Sequence, residues 1–242
     1  MTPSPWFVPP RYDGNADFRL FIFPYAGGSP AAFNKWTIEN VECWTAHYPG
    51  RGSRYSEPVI KNIPSLVEPL AHAIPPLLDK PFAFFGHSMG AVIAFELIRS
   101  MRQNDLPLPR LLIVSACGAP HIPDPHPPIH TLPDDEFLAA LKKLNGVPSG
   151  LSEQPEAMQL LLPIVRADFE AIETYRAASQ APLEIPMIAL GGSHDPRVSR
   201  ERLEGWSTQT SAGFRAQTFN GDHFFIHTEK ETILDLIQEG LT

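Results

Sequence analysis

The stretch Pro81-Phe82-Ala83-Phe84-Phe85-Gly86-His87-Ser88-Met89-Gly90-Ala91-Val92-Ile93-Ala94-Phe95-Glu96-Leu97-Ile98-Arg99 decides the fold. Residues 81–85 form a short apolar run, which predicts a buried strand. From 89 onward the pattern predicts a helix, over 89–103. Between them stands Gly86-His87-Ser88-Met89-Gly90. Strand, tight turn and helix are the setting in which G-x-S-x-G forms a nucleophile elbow. Small residues at 86 and 90 let strand and helix approach closely. The turn then pushes the Ser88 hydroxyl into a cleft, with the Met89 N–H beside it. A bare G-x-S-x-G recurs by chance, so the flanking pattern gives the motif its weight. Ser88 is the candidate nucleophile; an ordinary Gly-rich turn is the alternative.

Outward from this stretch, apolar runs alternate with helical patterns. Such alternation predicts an α/β fold with a mostly parallel sheet covered on both faces. Strands are expected at Arg19–Phe23, Glu42–Tyr48, Leu111–Ser115, Ile185–Leu190 and Phe214–Phe219, with a short edge strand at Trp6-Phe7-Val8. A helix is expected over 64–78, despite Pro69 and Pro75, and a last one over 228–240. The stretch 120–178 breaks the alternation. It opens on the Pro-rich run His121-Ile122-Pro123-Asp124-Pro125-His126-Pro127-Pro128 and continues with two helical patterns. Thr131 and Asp134 are the expected caps of the first. Ser152 is the expected cap of the second, which runs to Tyr175 with a kink at Pro163. The whole chain then reads as one domain, 1–242, with a helical lid insertion at 120–178; two ordinary packing helices are the alternative.

Composition sets bounds. With 242 residues, 43% hydrophobic and 19% charged, the chain can bury a sizeable core. Pro 27 and Gly 16 are many, yet stay below the share of about 25–30% that marks disorder. A net charge of −8 and no Lys/Arg cluster speak against nucleic acid. Cys43 and Cys117 make neither a disulfide framework nor a metal-ligand spacing. The start, Met1-Thr2-Pro3-Ser4-Pro5, lacks the pattern of a signal peptide, and no apolar run reaches membrane-spanning length. A cytoplasmic monomer, without membrane, metal or cofactor, is the expectation.

A serine hydroxyl needs a base, and the base needs an orienting acid. After an elbow of this kind the chain order is Ser, Asp or Glu, then His, each after a strand. Ala116-Cys117-Gly118-Ala119-Pro120 follows one strand and offers no carboxylate. Gly191-Gly192-Ser193-His194-Asp195-Pro196 follows the next, so Asp195 is the candidate acid, with Asp124 the nearest rival. An Asx-type turn before Pro196 is the bland reading of Asp195. Asn220-Gly221-Asp222-His223-Phe224-Phe225 follows the last strand and supplies His223 as candidate base, with His227 the fallback. His87 is expected to pack within the elbow, and Asp222 to sit in a solvated turn. The oxyanion needs two backbone donors. Met89 N–H is one. The other comes from Pro24-Tyr25-Ala26-Gly27-Gly28; Pro24 has no N–H, so it is Tyr25 or Ala26, with Tyr25 preferred.

Four segments together resemble type II thioesterases, the discrete editing enzymes that accompany nonribosomal peptide and polyketide synthases. They are Phe23-Pro24-Tyr25-Ala26-Gly27-Gly28-Ser29, Tyr48-Pro49-Gly50-Arg51-Gly52, Gly86-His87-Ser88-Met89-Gly90 and Gly221-Asp222-His223-Phe224-Phe225. The likeness covers nearly the whole chain. Its first two motifs are more specific than the elbow. Asp195 after the penultimate strand matches the type II arrangement; Asp222 departs from it, where glycine is frequent. The resemblance implies an α/β-hydrolase fold and hydrolysis of acyl or aminoacyl thioesters on the phosphopantetheine arm of carrier proteins.

Carrier proteins are commonly acidic, and so is this chain, so docking would need a local positive patch. Arg51, Arg54 and Lys61 are the candidates; a solvated surface is the alternative. Rival readings of the same residues are a small-molecule esterase or lipase, an acyltransferase or cyclase, and a non-catalytic binding module.

Overall fold

In the computed structural model, residues 4–10, 16–146 and 155–241 are described. The elements are β1 (Phe7–Val8), β2 (Phe18–Phe23), β3 (Val41–Ala46), α1 (Ile63–Ala73), β4 (Phe82–His87), α2 (Met89–Gln103), β5 (Leu111–Ser115), α3 (Asp134–Lys143), α4 (Pro155–Glu173), β6 (Met187–Gly192), α5 (Arg200–Glu204), β7 (Phe214–Phe219) and α6 (Lys230–Leu241). Among the described residues the strands form one seven-stranded sheet in the order β1-β3-β2-β4-β5-β6-β7. Only β1, paired with β3, runs antiparallel.

The apolar runs become strands because both sheet faces are covered. Alternate residues serve opposite faces. Phe21, Phe23, Phe84, Leu112 and Val114 pack on one side with α1 and α2. Leu20, Ile22, Phe85, Ile113 and Leu190 pack on the other with α6. Edge-on aromatic contacts, such as Phe21–Phe84 at 5.5 Å between centroids, stitch neighbouring strands. Burying a side chain of this size is worth roughly 1.5–3 kcal/mol. The helix α2 is buried on nearly every side, so its apolar content exceeds a one-sided stripe.

The elbow is a packing solution. A Cβ on Gly86 would lie 2.3 Å from the Gly90 carbonyl oxygen, and one on Gly90 would lie 1.9 Å from the Phe23 carbonyl oxygen. Both obstacles are backbone, so neither position accepts a larger residue. Between them Ser88 takes φ 53° and ψ −118°. Its N–H donates to the Ser115 carbonyl at 2.7 Å, which ties the turn to β5.

Several boundaries differ from the sequence expectation. Helix α1 stops at Ala73, and Pro75 begins a separate short turn, because proline cannot continue the helical bonding. Asn62 caps α1 by accepting the Ser65 N–H at 2.9 Å. Strand β6 runs Met187–Gly192, two residues later than expected. Thr131 caps nothing: α3 begins after Pro133 with no side-chain cap, and Asp134 lies in its first turn instead. Ser152 lies outside the described residues; the visible part of α4 carries Pro163 in its interior.

Residues 116–186 connect β5 to β6. Their helices have a small core of their own, Ile129, Phe137, Leu141 and Val165. Arg166 braces it, stacking 4.2 Å over Phe137 and donating to the Leu132 carbonyl. No helix among the described residues is long and apolar enough to cross a membrane.

Candidate active site

Parallel strands deliver their carboxyl ends to one edge of the sheet, where ligand sites of open α/β sheets form. Here that edge gathers the loops after β2, β4, β6 and β7. His223 Nε2 lies 3.0 Å from Ser88 Oγ, and His223 Nδ1 lies 2.8 Å from Asp195 Oδ2. The carboxylate accepts the Nδ1 proton, which leaves Nε2 to accept from the serine hydroxyl. The Asp195 side chain is fully buried and is held by the Arg197 N–H, donated to its Oδ1 at 2.8 Å. The three residues thus form one hydrogen-bonded chain that opens onto a cavity of about 700 Å³. Its walls include Ala26, Val92, Cys117, Leu144, Phe169 and Ile172.

The two alternatives weighed from the sequence have other partners, although Asp124 lines the same cavity. Asp124 spends its carboxylate on His126, Arg197 and Arg202. His227 is exposed and stacks on Phe224 with centroids 6.0 Å apart. His87 is fully buried within the elbow, as expected, with Nδ1 2.9 Å from Ser115 Oγ and its ring 5.4 Å from that of His223. Burial, followed by the proximity of His223 and His227, holds its pKa well below the usual histidine value, so the ring is neutral. Burial also pushes the Cys117 thiol up to about 12, so this cavity-wall sulfur is a thiol, not a thiolate.

Met89 opens α2, so its N–H is one of the unpaired first-turn donors of that helix. Ala26 lines the cavity together with Ser88 and His223. Tyr25 sets its ring among Phe33, His87 and Phe224.

Two expectations are corrected. Arg51 and Arg54 are not a surface patch: both are buried, Arg51 against Asp168 at 2.7 Å and Arg54 against Glu57 at 2.6 Å. Lys61 is exposed but pairs with Glu170 at 3.1 Å. Asp222 is not merely a solvated turn residue. Its Oδ1 accepts the Phe224 N–H, and its Oδ2 accepts from Asn145 Nδ2 at 2.7 Å, beyond the end of α3. Sequence reasoning missed Asp168, although a signal existed. Asp168 falls on the buried stripe of α4 with Ile164, Val165 and Ala171, where an acid needs a partner.

Known proteins identify the family. The family model for the Thioesterase domain matches residues 18–241. The "Linear gramicidin dehydrogenase LgrE" of Brevibacillus parabrevis is 40% identical over 247 residues, covering 100% of this chain and 94% of that one. The "Gramicidin S biosynthesis protein GrsT" of Aneurinibacillus migulanus is 40% identical over 239 residues, covering 98% and 93%. The word dehydrogenase is that relative's own. Here β2 leads into Pro24-Tyr25-Ala26-Gly27-Gly28-Ser29, which is not the G-x-G-x-x-G spacing of a dinucleotide site. Among solved structures, the type II thioesterase BorB from the borrelidin biosynthetic cluster superposes with a TM-score of 0.91 at 32% identity, covering 100% of both chains. The chain belongs to the thioesterase family, among its type II members, and is a thioester hydrolase on the α/β-hydrolase fold.

Proposed function

We propose that the protein clears acyl and aminoacyl groups from the phosphopantetheine arm of carrier proteins, editing the assembly lines of peptide or polyketide synthesis. The observation that carries this is the Ser88–His223–Asp195 chain at the mouth of a large cavity. Ser88 attacks the thioester carbonyl while His223 Nε2 takes its proton. Asp195 orients the imidazole and stabilises its charged form. The tetrahedral oxyanion accepts from Met89 N–H and from the Tyr25–Ala26 segment. The thiolate departs readily, so acylation needs little acid help, and it takes the proton from His223 as it leaves, which frees Nε2 to act as base again. His223 then activates water to hydrolyse the acyl-Ser88 ester, and the free acid leaves.

In this reading 1–242 is one domain and the insertion at about 120–178 is its lid. Leu144, Phe169 and Ile172 supply its side of the acyl chamber. The arm must pass beneath this lid, so opening accompanies turnover. The reading is tested by incubating the protein with acyl-loaded carrier protein and with acyl-coenzyme A side by side, following acyl release by mass spectrometry. Faster release from the carrier, lost in Ser88→Ala, is the expected result. Equal turnover of simple oxygen esters would instead mark a general esterase.

A further inference from the structure

The loop after β2 is clamped from two sides. On one side the start of α2 presses against it, since a Cβ on Gly90 would meet Phe23 and Pro24 carbonyl oxygens at 1.9 and 2.7 Å. On the other side stands α4. A Cβ on Gly27, whose φ is +75°, would meet Val165 Cγ2 at 2.7 Å. The Gly27 N–H donates to Asp168 Oδ2 at 2.7 Å. That carboxylate is itself gripped by Arg51, Nη1 to Oδ2 at 2.7 Å and Nη2 to Oδ1 at 2.8 Å. The same Nη1 donates to the Gly28 carbonyl at 3.1 Å, and the guanidinium lies 5.2 Å from the Tyr48 ring centroid. Tyr48 returns to the loop through its hydroxyl, which donates to the Pro24 carbonyl at 3.4 Å. Three chain segments, far apart in sequence, thus converge on four residues at the end of β2 and in the loop, Phe23, Pro24, Gly27 and Gly28.

A buried ion pair is a poor way to gain stability, because desolvation offsets much of the attraction. What it does provide is a fixed, fully charged acceptor with a defined direction. A bond from N–H to carboxylate is shorter and stronger than one to a neutral acceptor. Peptide groups are planar, so fixing the Gly27 N–H fixes the Ala26–Gly27 plane and leaves few torsions between it and the N–H groups of Ala26 and Tyr25. We infer that Arg51 and Asp168 are positioning residues for thioester hydrolysis, holding the Tyr25–Ala26 N–H groups where the oxyanion forms above Ser88. This rests on the reading of Ser88 and its partners given above. Because Asp168 belongs to α4, the oxyanion loop is set only when that helix is seated.

The test uses an acyl-N-acetylcysteamine thioester, which needs no carrier docking, and two analogues. A trifluoromethyl ketone reacts with the serine to give an anionic adduct, whereas a thioether copies the ground state. Three variants are compared with wild type: Asp168→Asn, Arg51→Lys, and the double change Arg51→Met with Asp168→Leu, which leaves no lone buried charge. A displaced donor should lower kcat by about 10–100-fold, less than the complete loss of one donor, with KM within about twofold. Trifluoromethyl ketone affinity should fall by the same factor in Asp168→Asn and in the double variant, while thioether affinity holds. Arg51→Lys should recover part of the loss. If Asp168→Asn does not fold, the double variant carries the test. A folded double variant with kcat within twofold of wild type overturns the inference, as does an equal loss of thioether affinity. Ser88→Ala is assayed in parallel: activity retained there would overturn the reading of the site as well, whereas activity lost there leaves any failure with the ion pair alone.

Discussion

Ser88 occupies a left-handed backbone conformation that a side chain adopts only under constraint. Strain of this sort costs on the order of 1–3 kcal/mol and is held in place by its surroundings. Here the surroundings are Gly86, Gly90 and the Ser115 carbonyl. Ser88→Ala should therefore abolish hydrolysis with an unchanged melting temperature, and Ser88→Gly should be no less stable than wild type; thermal melts beside activity assays check both. Asp195→Asn should cost far more activity than Asp124→Asn, up to about 10⁴-fold, because the amide favours the wrong tautomer of His223. Greater sensitivity at Asp124 would move the acid to the loop after β5.

Buried, neutral His87 makes a further prediction at this scale. Its folded pKa is depressed, so between that value and the unfolded value of 6.5 the unfolded state binds more protons. Its contribution to stability is therefore present above pH 6.5 and is lost as pH falls below it. Melting temperature should drop on acidification from about pH 7 to about pH 5, and His87→Asn should flatten that slope. An unaltered slope in the variant would place the effect on other groups.

At the scale of elements, the insertion separates packing from lining. Leu141 is buried between α3 and α4, whereas Leu144 and Phe169 reach the cavity. Leu141→Ala should lower stability by about 2–5 kcal/mol and leave chain-length preference alone. Leu144→Ala or Phe169→Ala should instead shift preference toward longer acyl groups. Denaturant melts paired with a chain-length series distinguish the two. Legibility from sequence also divides at this scale. Strand β4, helix α2 and strand β7 were readable because glycine, periodicity and apolar runs all act locally. The end of α1 is less legible, because two prolines compete to end it: Pro69 is accommodated inside the helix, whereas Pro75 lies beyond its end. The loops bearing Asp195 and His223 were readable from strand ends. Arg51 was not: its partner Asp168 is 117 residues away, and no local pattern announces such a pair. An arginine near a Gly-rich loop looks solvated until the fold brings α4 down on it.

At the scale of the whole molecule, charge makes the remaining prediction. The net charge is −8, and the three cations proposed for docking are all paired, two of them buried. An acidic carrier should then meet repulsion at long range, which salt screens. The kcat/KM for a carrier-bound substrate should rise between about 20 and about 200 mM salt, while that for an N-acetylcysteamine thioester stays flat. A fall with salt would reveal an attractive patch elsewhere on the surface.

The small separate core of the insertion has a consequence for heredity and engineering alike. A segment that fills its own interior is a natural cassette, exchangeable between relatives to alter what the chamber admits. Yet polar stitches join it to the body, and three of them meet loops of the site: Asp168 to the Gly27 N–H, Asn145 to Asp222, and Glu173 to Arg197 at 3.7 Å. Each of these three meets a different loop. A transplanted cassette that brings its own apolar core but lacks these three side chains would fold and still leave the host catalytically slack. Chimeras should be chosen by matching the stitches first and the chamber wall second.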